Sequence, residues 1–380
     1  MKRLVLILFS CLLFLSICSL LSADAKGTLV YLDGNVEIHK SGEITGIDKL
    51  KTGFEINCYD LIETGADGYA EFEISQFMPE SAAESVILKI ENYTSVYFVS
   101  GKNMEEGFVQ LHLLTGSINV KTGKLPSGEG MTVRTAGDGL VKANDASFCV
   151  VTAPDGAILV ACSEGDLEFS IPSDRMVMEK AEAGMIVDAV PGHNIRSLDI
   201  SAERFDVYKT EWSAERLRVF RSSAFSLTKP VLIQYEEYLE KYNLFYKELR
   251  ASDKIFNKYK DSIIQYGSDD IVNKADNTVE SQTDGENLKK KDIIADKLKA
   301  APAVFKMRNI YFTFEELFFR IKDIKRYHDQ IPVKGALRKK YDIDDFMKDF
   351  QKNHKTVEKK NTYVRQAFNI YSKMDAAGIP

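Results

Sequence analysis

The stretch Leu61–Ile74 constrains the fold of this chain most strongly, because apolar and polar residues alternate strictly on both sides of an Asp-Gly turn. In an extended chain Ala70, Phe72 and Ile74 point to one side, and this apolar row needs a second sheet to cover it. Alternation around such a turn predicts a β-hairpin. The residues that end its first strand and form its turn are Thr64, Gly65, Asp67 and Gly68.

Similar short strand-like segments continue to Pro191, with turn residues between them and no helical period. Many short strands at this spacing predict an all-β antiparallel sandwich or jelly-roll-like domain, which we place at residues 26–198. Further turn positions that support this interpretation are Gly116, Asp155, Gly156, Gly165 and Gly184.

In the second half of the chain, apolar residues recur at alternating spacings of four and three. Three such stripes begin at Val231, Ala303 and Met347, and they predict an α-helical bundle or coiled coil over residues 199–380. Many positions in the stripes are aromatic, so we expect them to pack within the chain, with self-association through the heptads as the alternative.

Two features set the expected limits of these helices. Pro302 fits the first turn of the second helix, where its missing N–H carries no penalty. The polar stretch 267–291 is typical of a flexible linker within the helical domain.

The N-terminus has the pattern of a secretory signal peptide. Lys2 and Arg3 precede a long apolar run, and small residues at Ala23 and Ala25 supply a cleavage pattern. Residues 1–25 are therefore predicted to be removed, which places the protein in the periplasm or elsewhere in the cell envelope. The run is also long enough to remain as an uncleaved membrane anchor. No later stretch is apolar enough to be a transmembrane helix.

Three cysteines follow the signal peptide, and two of them flank the Asp155-Gly156 turn. With a two-residue loop, Cys149 faces Cys162 at a spacing that suits a disulfide, and this pairing is slightly favoured in an oxidising compartment. With a type I turn and a bulge, the register shifts by one residue and the thiols separate.

No catalytic or metal-binding pattern stands out in the sequence. The histidines are scattered, and His39 and His112 fall in predicted strands, where a partly exposed structural role is expected. Adjacent carboxylates such as Glu315 and Glu316 diverge, which is typical of solvated faces. We therefore predict no catalytic residue, no metal site and no cofactor, and a protein that is not an enzyme. A possible aromatic contact surface consists of Tyr69, Tyr93 and Tyr97.

Charge is distributed unevenly along the chain. Residues 26–200 contain 13 basic and 27 acidic residues, a balance of −14, whereas residues 201–380 contain 35 and 28, a balance of +7. Opposite charge in two halves favours either mutual docking or an anionic partner for the second half. Two independently solvated surfaces are an equally good explanation.

Several turn and strand segments of the first half resemble the FecR-like periplasmic domain family. The matching segments are Gly34–Val36, Asn57–Gly65, Tyr69–Phe72, Leu113–Ile118, Ala146–Val150, Glu164–Leu167 and Ala183–Met185. The resemblance covers roughly residues 27–190. It implies an exported β domain that recognises a partner.

Together these patterns lead to one main functional expectation and two alternatives. The main one is an exported, non-enzymatic binding or scaffolding protein whose partner is an envelope protein or a cell-wall component, not nucleic acid. Its basic helical half would serve in assembly or envelope attachment. The alternatives are a membrane-anchored periplasmic sensor or regulator of the FecR type, and a peptidoglycan- or glycan-binding protein.

Overall fold

The structure, a computed structural model, describes residues 26–41, 46–75, 86–100, 109–124, 130–136, 139–171, 177–265, 283–328 and 334–376. The predicted signal peptide, residues 1–25, lies outside the described residues. The strands of the first half are β1 (Lys26–Asp33), β2 (Val36–His39), β3 (Glu55–Ile56), β4 (Leu61–Thr64), β5 (Tyr69–Ser75), β6 (Val86–Ile90), β7 (Ser95–Ser100), β8 (Val109–Lys121), β9 (Met131–Thr135), β10 (Leu140–Ala143), β11 (Ser147–Thr152), β12 (Ile158–Glu164), β13 (Asp166–Ile171), β14 (Val177–Glu182), β15 (Met185–Ala189) and β16 (Arg196–Asp199).

These strands form one hydrogen-bonded network of 16 strands, which has two arms that share β8. Arm A has the order β3-β1-β5-β6-β8-β11-β12-β15-β16. Arm B has the order β2-β4-β7-β8-β9-β10-β13-β14. Every described pairing is antiparallel except that of β8 with β9. The predicted strand-rich first half is confirmed, as a mainly antiparallel but mixed sheet.

The apolar rows of both arms meet in one core. Phe72 and Val150 of arm A and Phe98 and Phe169 of arm B belong to the same buried cluster. Most of the strands contribute alternate residues to this cluster, as the period of an extended chain requires. The alternation of apolar and polar residues in the sequence therefore correctly predicts which side chains face this core.

Strand β8 passes from one arm to the other at Gly116. Its first half pairs with β7 and β9, and its second half pairs with β6 and β11. Gly116 has a φ of +94°, and a Cβ atom there would lie 2.3 Å from Thr94 Oγ1. The turn expected at Gly116 is therefore a change of arm within one continuous strand.

The hairpin predicted for Leu61–Ile74 is wrong in its pairing, although its strand limits are correct. Strand β4 pairs with β2 and β7 in arm B, whereas β5 pairs with β1 and β6 in arm A. The turn therefore connects the two arms. The Gly65 N–H donates to the carbonyl of Asn35, and the Asn35 N–H donates to Asp67 Oδ1 at 3.3 Å. Bonds to the neighbouring β1–β2 turn thus replace the bonds of a hairpin.

Gly165 and Gly184 also lie where the chain changes arm. Gly165 separates β12 from β13, and Gly184 separates β14 from β15. Both have positive φ values, of 74° and 90°, which a residue without a Cβ adopts most easily.

The hairpin of β11 and β12 is confirmed, but the favoured pairing of its cysteines is not. Cys149 faces Ala161, and Cys162 faces Phe148. Facing residues share a side of the sheet and successive residues alternate, so the two thiols point to opposite faces. The alternative turn, with the register shifted by one residue, is the one present. The Ala153 N–H donates to the Ala157 carbonyl, and this bond closes the loop that contains Asp155 and Gly156. Both thiols are free.

The helical part begins with a 3-10 turn at Ala202–Arg204. The helices are α1 (Phe205–Arg250), α2 (Asp253–Gln265), α3 (Thr283–His328) and α4 (Ile343–Ala376), and a small hairpin of β17 (Ala336–Arg338) and β18 (Tyr341–Asp342) precedes α4. No helix in the described ranges has the length and apolar character that crossing a bilayer requires.

Two expectations about helix limits are wrong. Helix α3 begins at Thr283, so residues 283–291 of the predicted linker are helical, and the linker residues 267–282 lie outside the described residues. Pro302 lies well inside α3 instead of in its first turn. It is exposed, and a helix tolerates proline on its solvent side because the bend curves away from the ring.

The heptad stripes form the core of the helical part. Phe314 of α3 stacks on Tyr242 of α1 with ring centres 4.1 Å apart and lies 5.4 Å from Tyr235. Phe350 of α4 contacts the same Tyr235 at 5.7 Å. The expected packing of the aromatic stripes within the chain is therefore present.

Candidate functional site at the junction of the strands and helices

The outer side of arm B is covered by the helical part. The apolar cluster of the helices includes side chains from β4, β7 and the loop before β4, among them Tyr59, Leu61 and Val99. The strand residues among them point away from the core of the strand part, so the sequence pattern alone predicts that they are exposed to solvent. Helices α3 and α4 bury them, and this junction is the candidate functional site.

Four residues form a buried polar group at the centre of the junction, here called the junction network: Tyr97 of β7, Tyr311 and Glu315 of α3, and Arg365 of α4. The Tyr97 hydroxyl donates to Glu315 and accepts a hydrogen bond of 2.9 Å from Arg365 Nη1. Burial raises the pKa of Tyr97, Tyr311 and Glu315, although the nearby Arg365 opposes the shift. The network therefore holds one buried cation against one buried carboxyl group.

Three predictions about junction residues, those for Tyr97, Glu315 and His112, are wrong. Tyr97 was expected on an exposed aromatic surface, yet only 1% of it is accessible, because α3 and α4 cover its face of β7. Glu315 was assigned to a solvated face and is also 1% exposed. Its neighbour Glu316 contacts His112, with Nε2 and Oε1 2.6 Å apart. His112 was expected to be partly exposed, but it is buried beneath α3.

A second charged group lies at the edge of the junction. Lys322 of α3 donates to Glu63 of β4 at 3.0 Å and to Glu358 of α4 at 3.4 Å. Burial alone would raise the pKa of Glu63, but Lys322 and His39 outweigh it and lower that pKa to about 2. Lys322 thus connects a strand, α3 and α4 through ion pairs.

The start of α1 docks separately on arm A. Trp212 Nε1 donates to Asp188 Oδ1 at 3.0 Å, and its ring packs in a cluster with Leu159 and Ile186. Lys209 pairs with Glu91 of the strand part at 2.6 Å. Basic residues of the helices therefore meet acidic residues of the strands, which is the mutual docking that the uneven charge allowed.

A cleft of about 380 Å³ lies between arm A and the helices, and we call it the tyrosine cleft. Tyr93 on its wall is 43% exposed, and the Arg326 guanidinium lies 4.1 Å from the centre of that ring. Tyr327, Trp212 and Asn92 also line the cleft. Aromatic faces beside amide and hydroxyl groups can stack on a ligand and hydrogen-bond to it.

A more polar cleft of about 490 Å³ lies between arm B and α4, and we call it the glutamate cleft. His39 lies between two of its carboxylates, 3.1 Å from Glu63 and 3.7 Å from Glu37. Lys355 and Lys359 of α4 form the opposite wall. Lys322 and His39 both contact Glu63, so the charge of this carboxylate is balanced within the protein.

The remaining predicted site residues do not come together. Tyr69 is half-buried, contacts Tyr31 and donates to Glu71, so the three predicted tyrosines do not form one surface. Burial raises the pKa of the Cys149 and Cys162 thiols to about 11, which keeps them protonated near neutral pH. Within the described residues, no three His, Cys, Asp or Glu side chains are grouped closely enough to bind a metal ion.

Sequence reasoning missed Arg365 entirely. It lies beside the apolar stripe of α4, next to Val364, where an arginine is usually exposed. An arginine beside a core position is a weak indication of a buried charge pair, and the matching Glu315 on another helix could not be paired with it from sequence.

Fold and site together define a class: a strand-rich part of two arms with a helical part docked on it through paired charges. No family model matches the chain, and a comparison with curated proteins also finds no match.

Proposed function

We propose that this protein is an exported, non-enzymatic binding or scaffolding protein of the cell envelope. One observation carries the proposal: the four residues of the junction network are buried between the strand and helical parts and do not face an open cleft. The junction network lines none of the four clefts described in the structure. Disrupting a buried polar network is costly, so the network fixes how the two parts dock and leaves the outer surfaces for partners.

The resemblance to FecR-like periplasmic domains supports the location and the role of the strand part in recognition. We also propose the jelly-roll-like arrangement of the arms and the coiled-coil packing of the helices as the finer architecture. Self-association through the heptads is a weaker proposal, since Phe314, Tyr242 and Phe350 already pack within one chain.

The test uses the complete chain expressed with its own N-terminus. We expect the protein in the envelope or periplasmic fraction, and a chain that lacks residues 1–25 in the cytoplasm. The mass of the purified protein gives the mature N-terminus. A full-length chain that stays in the cytoplasm would contradict the proposal, whatever its binding properties in solution.

The regulatory alternative requires that Leu4–Leu21 stay attached as a membrane anchor. The same mass measurement distinguishes the exported binding protein from the anchored regulator, because a chain that begins at Lys26 has lost the segment that would relay a signal.

A second candidate function, glycan binding in the peptidoglycan layer, is favoured by the tyrosine cleft. The Tyr93 ring is exposed beside polar groups, as sugar stacking requires. Replacement of Tyr93 with alanine should abolish sedimentation with purified cell wall. Tyr31→Ala is the matched control, since Tyr31 is 50% exposed and does not line the cleft. Equal sedimentation of both variants, or no sedimentation of the wild-type protein, would exclude this function.

A further inference from the structure

We propose that a row of four lysines on α4 docks this protein on a membrane surface that carries anionic phospholipid headgroups. We call this row the lysine stripe, and it consists of Lys348, Lys352, Lys355 and Lys359. The inference deepens the proposed function, on which it rests, because it names the envelope component that the basic helical half would contact.

The lysine stripe is straight and exposed. At 3.6 residues per turn, its spacings of four, three and four place all four side chains within an arc of roughly 60°. The row extends along about 16 Å of the helix axis, from the rise of 1.5 Å per residue. All four residues are exposed. The four lysine side chains therefore lie along one exposed side of α4.

The stripe lysines form no ion pairs within the described ranges, although Lys355 and Lys359 line the glutamate cleft. Other lysines of the helices form ion pairs, such as Lys306 with Glu248, but no ion pair joins a stripe lysine to a carboxylate among the described residues. Like charges three and four residues apart destabilise a helix, so the row carries a cost that folding alone does not offset.

The acidic residues of α4 are turned to other partners. Glu358 accepts from Lys322, Asp349 accepts from the Tyr341 hydroxyl at 3.0 Å, and Asp344 contacts His328 at 3.0 Å. In the glutamate cleft, Glu63 is engaged in the same way by Lys322. These three carboxylates of α4 therefore already contact other groups, and the stripe lysines are left for an external anion.

The chemistry of the row favours a lipid surface over a nucleic acid. Specific phosphate sites in nucleic-acid-binding proteins combine cations with arginine forks or stacking aromatic rings, whereas this row contains lysines alone. Flexible ammonium groups along a convex helix suit many shallow, exchangeable phosphates in a plane. Such polybasic segments bind anionic leaflets through the summed attraction of each lysine.

The test measures binding of the complete mature chain to two kinds of vesicle by co-sedimentation. One is pure phosphatidylcholine, and the other contains equal parts of phosphatidylcholine and phosphatidylglycerol. The variant replaces all four stripe lysines with glutamine. The control variant makes the same charge change on the strand part, at exposed Lys51, Lys89, Lys121 and Lys142. Circular dichroism and urea unfolding check that both variants fold as the wild-type protein does.

We expect the wild-type protein to bind only the phosphatidylglycerol vesicles and to dissociate as salt shortens the Debye length below roughly 10 Å. The stripe variant should lose roughly a thousandfold in affinity, from about 1 kcal/mol per lysine, while the control variant changes it less than about threefold. Equal loss in the two variants, no binding at low salt, or tighter binding to duplex DNA than to the vesicles would overturn the proposal.

Cell fractionation separates this failure from failure of the proposed function. If the stripe variant remains in the envelope fraction at the wild-type level and vesicle binding is unchanged, the lysine stripe is not the contact, but the envelope location stands. If the wild-type protein itself is cytoplasmic, the proposed function fails first.

Discussion

Arg365 and Glu315 lie at the buried centre of the junction network, where neither can be hydrated by bulk water. The Tyr97 hydroxyl links the two side chains, and loss of Arg365 would leave the buried network without its cation. We therefore predict that Arg365→Met lowers the free energy of unfolding by about 3–5 kcal/mol, as measured by urea titration. Arg221→Met is the control, because Arg221 is exposed on α1. A loss at position 365 no larger than that of the control would contradict the assigned pairing.

Glu63 makes a pH-dependent contribution to stability. Its pKa in the folded protein, about 2, is below the ordinary value of 4.5. A carboxylate with a depressed pKa stabilises the fold above its unfolded pKa, and the contribution is lost as pH falls through the folded pKa. Glu63→Gln should therefore cost about 1–3 kcal/mol at neutral pH, and the difference from wild type should shrink between pH 4.5 and about 2.

Urea titrations across this pH range test that prediction, with Glu73→Gln as the control at an exposed position of β5. A Glu63→Gln difference that stays constant with pH would show that Lys322 does not hold the carboxylate in its charged form.

Single residues were predictable from sequence only where a local rule applies. The alternation of β7 correctly separates Val96 and Phe98 from Tyr97, but it cannot show that helices cover the second face. Likewise, the composition of the β11–β12 turn allowed two registers for Cys149 and Cys162. The one-residue difference between them depends on the backbone of the loop.

At the scale of elements, the contact of α1 with α3 depends on stacked aromatic rings. Phe314 is fully buried between Tyr242 and Tyr235. Its replacement with alanine leaves a cavity, so we predict a loss of about 3–5 kcal/mol in the free energy of unfolding. Phe305→Ala on the same helix is the control and should cost less than about 1 kcal/mol, since Phe305 is 52% exposed. Similar losses would contradict the heptad packing.

The change of arm within β8 depends on a glycine. Gly116→Ala would place a Cβ atom 2.5 Å from the backbone Cα of Thr94, in addition to the strain of a positive φ. Gly53 has a similar φ of +88°, and a Cβ there meets no atom within 4 Å. We predict that Gly53→Ala costs about 1 kcal/mol. Gly116→Ala should cost at least about twice as much.

Urea midpoints of the two alanine variants provide the comparison. Equal destabilisation would mean that β8 does not pass close to Thr94, which would contradict the change of arm at Gly116.

Element type was more predictable than element pairing. Side-chain period identified strands in the first half and helices in the second, because it reports which faces are buried. Pairing depends on contacts distant in sequence, so the strands beside the Asp67-Gly68 turn were assigned to each other although they belong to different arms. Pro302 was placed at a helix start because local propensity takes no account of exposure in a long helix.

At the scale of the whole molecule, the uneven charge indicated that the strand and helical halves could dock on each other. It did not indicate which surfaces would meet. Two ion pairs join the halves, one on each side of the strand part: Lys209 with Glu91, and Lys322 with Glu63. The junction network was beyond sequence reasoning, because its members come from three elements that are distant in sequence. The same docking leaves the lysine stripe of α4 on the outside.

The central claim is that the strand and helical parts form one body through the junction network. A double-mutant cycle with Tyr97→Phe and Arg365→Met tests it most directly, since 268 positions of sequence separate these residues and only docking can couple them. From urea titrations of the two single variants and the double variant, we predict a coupling energy of about 1–3 kcal/mol. Additive effects within about 0.5 kcal/mol would contradict the docked arrangement.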